Sequence, residues 1–158
     1  MGQKIVFASI MLLVPGFAEF RSIEMGVSGL DCASCAASVE KTLRRLKGVE
    51  SAEFRMPQSV AVVRLKADNT VSLDEVRDAL KRVGYTPTEA KVSARGRVLS
   101  AQGKWRLRMA GLDREYLLEG TSSLRENDAV LVEGSIAPSS DRAAPEVLKI
   151  SAIRTHAE

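Results

Sequence analysis

The order in which the hydrophobic period changes between residues 21 and 92 constrains this chain most. Residues 21–27 alternate, with Ile23, Met25 and Val27 on one side and Ser22, Glu24 and Gly26 on the other. That is the pattern of a half-buried strand. Ala36, Val39, Leu43 and Leu46 then recur at helical steps and form an apolar stripe, which Lys47 and Gly48 close. Ala52 and Phe54 alternate with Glu53 and Arg55, Pro57-Gln58-Ser59 reads as a turn, and Ala61, Val63 and Leu65 face inward against Arg64 and Lys66. Ser72-Leu73-Asp74-Glu75 fits a capping box, in which the Ser hydroxyl and the Glu carboxylate satisfy free backbone donors. Leu73, Val76, Leu80 and Val83 make a second stripe, Gly84 ends it, and residues 85–92 give a fourth strand. The resulting order, βαββαβ, is ferredoxin-like.

From residue 92 the helical period disappears. Strand patterns at 92–100, 104–110, 115–119, 129–136 and 146–153 are separated by turn signals such as Gln102-Gly103 and Pro138-Ser139. Strands of this number and spacing predict a small all-β barrel, most similar to an OB-fold. The fold class is therefore α+β: a ferredoxin-like sandwich over residues 19–90, followed by an OB-like β-barrel over 91–158. With 45% hydrophobic residues but only four Phe, two Tyr and one Trp, the core must be mainly aliphatic.

OB-folds often bind oligonucleotides, and Trp105 lies among Lys104, Arg106 and Arg108. Strand alternation nevertheless puts Trp105 with Leu107 and Met109 on one face and the basic residues on the other. A stacking platform would need them together. The net charge of +3 is also mild, so no nucleic-acid partner is expected.

Residues 1–18 read as a secretory signal peptide. Lys4 is the only charge before Glu19, an uncharged run covers 5–18, and small residues precede a cut after Ala18. The run is shorter than the roughly 20 residues of a membrane helix, so no stable span is expected after removal of the leader. A buried first element or an uncleaved anchor is the alternative. The implied location is periplasmic or secreted.

The chemistry concentrates at Asp31-Cys32-Ala33-Ser34-Cys35, which holds both cysteines at the start of the first helix. Two soft sulfur ligands so spaced can grip one ion, and a helix N-terminus favours thiolate. Two-coordinate sulfur suits Cu(I) and Hg(II), whereas Zn(II) and Cd(II) want about four ligands. Asp31 is thus a candidate third ligand, or else a charge that merely caps the helix. An oxidising compartment favours disulfides, but a bridge across so small a loop would staple the fold weakly. The same pair could instead serve thiol–disulfide exchange, although Asp31 beside Cys32 opposes the nucleophile. His156, the only histidine, lies in the tail and reads as solvated. Met25 and Met56 read as core or surface rather than as thioether ligands, because no Met cluster surrounds the cysteines.

The segment from Val27-Ser28-Gly29-Leu30 through Cys32, Cys35 and Lys41, with Leu46-Lys47-Gly48-Val49 and Val83-Gly84-Tyr85, resembles heavy-metal-associated domains. That family includes copper chaperones, a periplasmic mercury scavenger and N-terminal modules of heavy-metal ATPases. The resemblance covers about residues 21–92. It implies the same ferredoxin-like fold and a non-enzymatic function: one ion of Cu(I), Zn(II), Cd(II) or Hg(II) carried as cargo by Cys32 and Cys35 and passed to a metal transporter or another metal-binding domain. Leu30 stands where the family usually has Met, an apolar anchor beneath the loop. Asp31 stands where copper and mercury carriers usually have Thr and matches zinc-type ATPase modules. Tyr85 either shields the ion or packs against its loop. An adaptor working through the OB-like half is a further alternative.

Overall fold

The computed structural model describes residues 19–109, 111–120, 124–139 and 141–155; residues 1–18, read above as a signal peptide, and His156 lie outside them. Its elements run β1 (Phe20–Ser28), α1 (Ala33–Arg44), β2 (Val49–Arg55), β3 (Val60–Leu65), α2 (Leu73–Arg82), β4 (Thr86–Ala101), β5 (Lys104–Met109), β6 (Arg114–Glu119), β7 (Ala129–Ile136) and β8 (Glu146–Thr155). The first part follows the βαββαβ order read from the sequence. Among the described residues, no helix is long and apolar enough to cross a membrane.

Local chemistry accounts for the element ends. Ser72 caps α2 by accepting from the Glu75 N–H at 3.2 Å, while the Glu75 carboxylate accepts from the Ser72 N–H at 2.8 Å. Helix α1 stops at Arg44, before the Lys47-Gly48 signal, and Gly48 then turns the chain at φ 102°. In β1 a register shift between Phe20 and Ser22 sets Arg21 aside as an extra residue. This brings Phe20 onto the buried side with Ile23, Met25 and Val27, a parity that simple alternation does not give.

Strand β4 organises the molecule. The two strand patterns read at 85–92 and 92–100 are one continuous strand, and residues 90 and 91 both lie inside it. Its first part pairs with β1, its last part with β5, and its other edge with β7. Further pairings join β5 to β6, β6 in parallel to β8, and β8 to β7. These strands therefore close on themselves in a ring that contains half of β4.

One hydrophobic core spans both halves, from Ile23, Val39 and Leu80 to Leu107, Val132 and Leu148. Phe20 of β1 meets Tyr116 of β6 edge-on, with ring centroids 5.7 Å apart. A polar junction runs alongside. Arg77 of α2 lies 2.7 Å from Glu146, Asp74 bonds Arg114, and Asp78 bonds Arg142. Trp105 is half-buried against the core, with Leu107 and Met109 buried beside it. The basic row opposite is not simply solvated, because Arg106 and Arg108 both bond Glu115, at 3.3 and 2.8 Å.

Candidate metal site

Gly29, at φ 85° with open space around it, turns the chain out of β1. Leu30 then plugs the core beneath the loop, only 5% exposed, as expected from the sequence. Asp31 is exposed. Cys32 is the N-cap of α1, in extended conformation, and its sulfur accepts from the Cys35 N–H at 3.1 Å. A sulfur thus takes the place usually filled by a capping oxygen. Cys35 sits in the first helical turn and packs against the core. No acidic residue occupies that turn, so no side chain in it neutralises the positive end of the helix dipole.

The two sulfurs are joined in a disulfide. Of the two states open to the pair, reduced and bridged, the structure holds the bridged one. An N-cap cysteine and one in the first turn hold their Cα atoms 5.2 Å apart, inside the range a disulfide spans. The geometry that lets both sulfurs reach one ion also lets them reach each other. Sequence reasoning missed Ser34, whose hydroxyl lies 3.3 Å from the Cys32 sulfur. A bridged sulfur has no hydrogen, so Ser34 donates. The signal was a hydroxyl residue between the two cysteines.

Pairing of Ser28 with Thr86 puts Gly84 and Tyr85 at the same end of the sheet as the cysteine loop. The turn before β3 joins that end, where Ser59 accepts from the Val27 N–H at 2.9 Å. Tyr85 is half-buried against the core. Met25 and Met109 are buried, and Met56 is exposed on that turn. Among the described residues, no group of three or more His, Cys, Asp and Glu gathers to hold an ion, so Asp31 does not join the bridged pair in such a cluster.

Comparison with known proteins agrees with this geometry. The model of the heavy-metal-associated domain family matches residues 24–86. The periplasmic component of the mercuric transport protein of Shigella flexneri is 30% identical over 92 residues, which cover 56% of this chain and 99% of that protein. Copper-transporting ATPase 1 of Rhizobium meliloti is 30% identical over 101 residues, 64% of this chain. The zinc/cadmium/lead-transporting P-type ATPase of Escherichia coli is 40% identical over 60 residues, 38% of this chain. The chain spans only 12% and 8% of the length of these two ATPases. Among solved structures, a CopZ metallochaperone is 27% identical, with 42% of this chain and 97% of that one covered and a TM-score of 0.40.

The fold and the paired sulfurs at a helix N-terminus define a module of the kind found in metal-transporting proteins. The chain belongs to the heavy-metal-associated domain family. Its relatives there are named for the transport of mercuric, copper and zinc, cadmium or lead ions.

Proposed function

We propose that this is an exported heavy-metal carrier that captures one ion between the reduced sulfurs of Cys32 and Cys35 and buffers it or hands it on. The carrying observation is the placement of both sulfurs on the first turn of α1, with Cα atoms 5.2 Å apart, inside a family match. Capture starts from the bridged pair. An external dithiol exchanges with the disulfide, becoming oxidised while Cys32 and Cys35 become thiols. The ion then displaces the two thiol protons. Release is by ligand exchange: a partner thiolate bonds the ion before a cysteine sulfur lets go. The partner is a metal transporter or a second metal-binding domain.

Asp31 is the third ligand for Zn(II) or Cd(II) and a bystander for two-coordinate Cu(I) or Hg(II). A periplasmic location is supported by the leader-like residues 1–18 and by the periplasmic mercuric relatives. The ring of strands is read as an OB-like barrel, supported by its closed pairing and by the parallel β6–β8 contact. Metal titration of the reduced chain tests the assignment: one ion per chain is expected, with that stoichiometry lost in Cys32→Ser/Cys35→Ser. Unchanged binding in the double variant rejects the site.

The disulfide itself favours a second reading, a thiol–disulfide exchange protein. Turnover of a disulfide substrate with a dithiol reductant would support it, and failure to turn over would leave metal carriage as the use of the pair.

A further inference from the structure

On the sheet face away from the helices, β1, β4, β7 and β8 run side by side and enclose a groove of about 500 Å³. Of these strands β1 belongs to the first half, β7 and β8 to the ring, and β4 to both, so the groove exists only because the halves share β4. Its concavity has a cause in the register. Ser93 of β4 pairs with Ser22 on one side and Glu133 on the other. Each of those neighbours sits at a bulge: Arg21 is the extra residue in β1, and Ser151 is the extra residue in β8 opposite the Glu133–Gly134 step. Bulges bend strands and re-aim side chains. Gly134 lets β8 come close behind the groove, since a Cβ there would lie 2.2 Å from the Lys149 carbonyl oxygen.

The polar groups fall in a defined pattern. Lys91, Ser135 and Lys149 occupy one row on adjacent strands, which places the two lysines about 10 Å apart with a hydroxyl between them. Glu133 lies two residues along β7 from Ser135, about 8 Å from each lysine position. Glu24 turns to Arg55 at 3.8 Å. Lys91, Lys149 and Glu133 form no ion pair among the described residues, and the hydroxyls of Ser22, Ser93 and Ser135 have no partner there either. Two free ammonium groups about a hydroxyl form a cradle for a carboxylate. One free carboxylate among hydroxyls, about 8 Å away, suits an ammonium group.

We infer that this groove binds a free dipeptide or tripeptide, its C-terminal carboxylate between Lys91 and Lys149 and its amino terminus at Glu133. The separation of the charges matches two or three residues of extended chain at about 3.5 Å each. A single amino acid is too short to reach from the lysine pair to Glu133.

Amide NMR shifts of the full chain, titrated with triglycine, test the proposal. Saturable shifts centred on Ser93, Glu133 and Ser135 are expected, at least tenfold weaker in Lys91→Ala/Lys149→Ala. Triglycine amide should lose the same affinity on the wild type. N-acetyltriglycine should bind weakly and be indifferent to Glu133→Gln. All the substituted residues are exposed, so the fold is not at risk. Titration of Cys32→Ser/Cys35→Ser should be unchanged, which separates this site from the metal site. Absence of saturable shifts up to about 10 mM peptide, or equal binding of inorganic phosphate at the same residues, overturns it.

Discussion

Arg77 and Glu146 lie 2.7 Å apart, both almost wholly buried, one on helix α2 and the other at the start of the last strand. Neither Glu146 oxygen accepts an aligned hydrogen bond, so the attraction is mainly charge on charge. Asp74 and Arg114 flank the pair, and together they tie the helix of the metal-binding half to the ring.

Removing Glu146 leaves the buried Arg77 guanidinium with Asp74 as its charged partner. Glu146→Ala should therefore lower unfolding free energy by about 1–3 kcal/mol, the cost of a buried charged group that has lost one of two partners. The double replacement Arg77→Met/Glu146→Leu should recover most of that loss. Urea denaturation of the three chains checks it, and equal stability of wild type and Glu146→Ala would mean that the pair contributes nothing.

Acid should loosen the same junction. Partial burial raises the pKa of Asp74, but hydrogen bonds and charge from Arg114 and Arg77 outweigh it and hold the carboxyl below its ordinary 3.8. A depressed folded-state pKa stabilises the protein fully above the unfolded value, and that contribution disappears as pH falls through the folded one. Stability should therefore drop below about pH 4. Asp74→Asn should be less stable than wild type at neutral pH and show a smaller acid-dependent loss.

Reduction should open the metal site without opening the fold. A bridge closing so small a loop contributes no more than about 2 kcal/mol. Denaturation with and without dithiol should give that difference or less, with an unchanged m-value. Only the reduced form should take up one ion.

If Asp31 ligates only borderline ions, Asp31→Ala should weaken Cd(II) or Zn(II) binding by about tenfold, roughly 1.4 kcal/mol, and leave Cu(I) binding unaltered. Anaerobic competition titrations read both. An equal loss for all ions would point to a general charge effect instead.

The cap of α2 offers a local control. Ser72→Ala removes the acceptor for the Glu75 N–H and should cost about 1 kcal/mol. Thermal unfolding should show a fall of a few degrees, with metal stoichiometry unaffected.

Much of this was legible in the residues. Ser72 and Glu75 announced the capping box, Leu30 and the inward faces of β1 and β3 were read correctly, and the βαββαβ order followed from periodicity alone. Arg77 was not legible. It borders the apolar stripe of α2, where a lone arginine reads as a snorkelling surface residue, and β8, some seventy residues on, supplies the buried carboxylate that meets it. Phe20 was hidden by the bulge at Arg21, which breaks the alternation a strand is recognised by.

Sequence by itself determined the local matters: where helices start, which residues alternate, and that two sulfurs sit at one helix N-terminus. Those depend on neighbours within a few positions along the chain. Tertiary structure alone decided that β4 runs on from the first sandwich into the ring, that Arg77 is buried against Glu146, and that Ser93 has a bulge on either side. Each of these turns on pairings between distant segments, and the energy of such pairings depends on what arrives opposite, which no local pattern encodes.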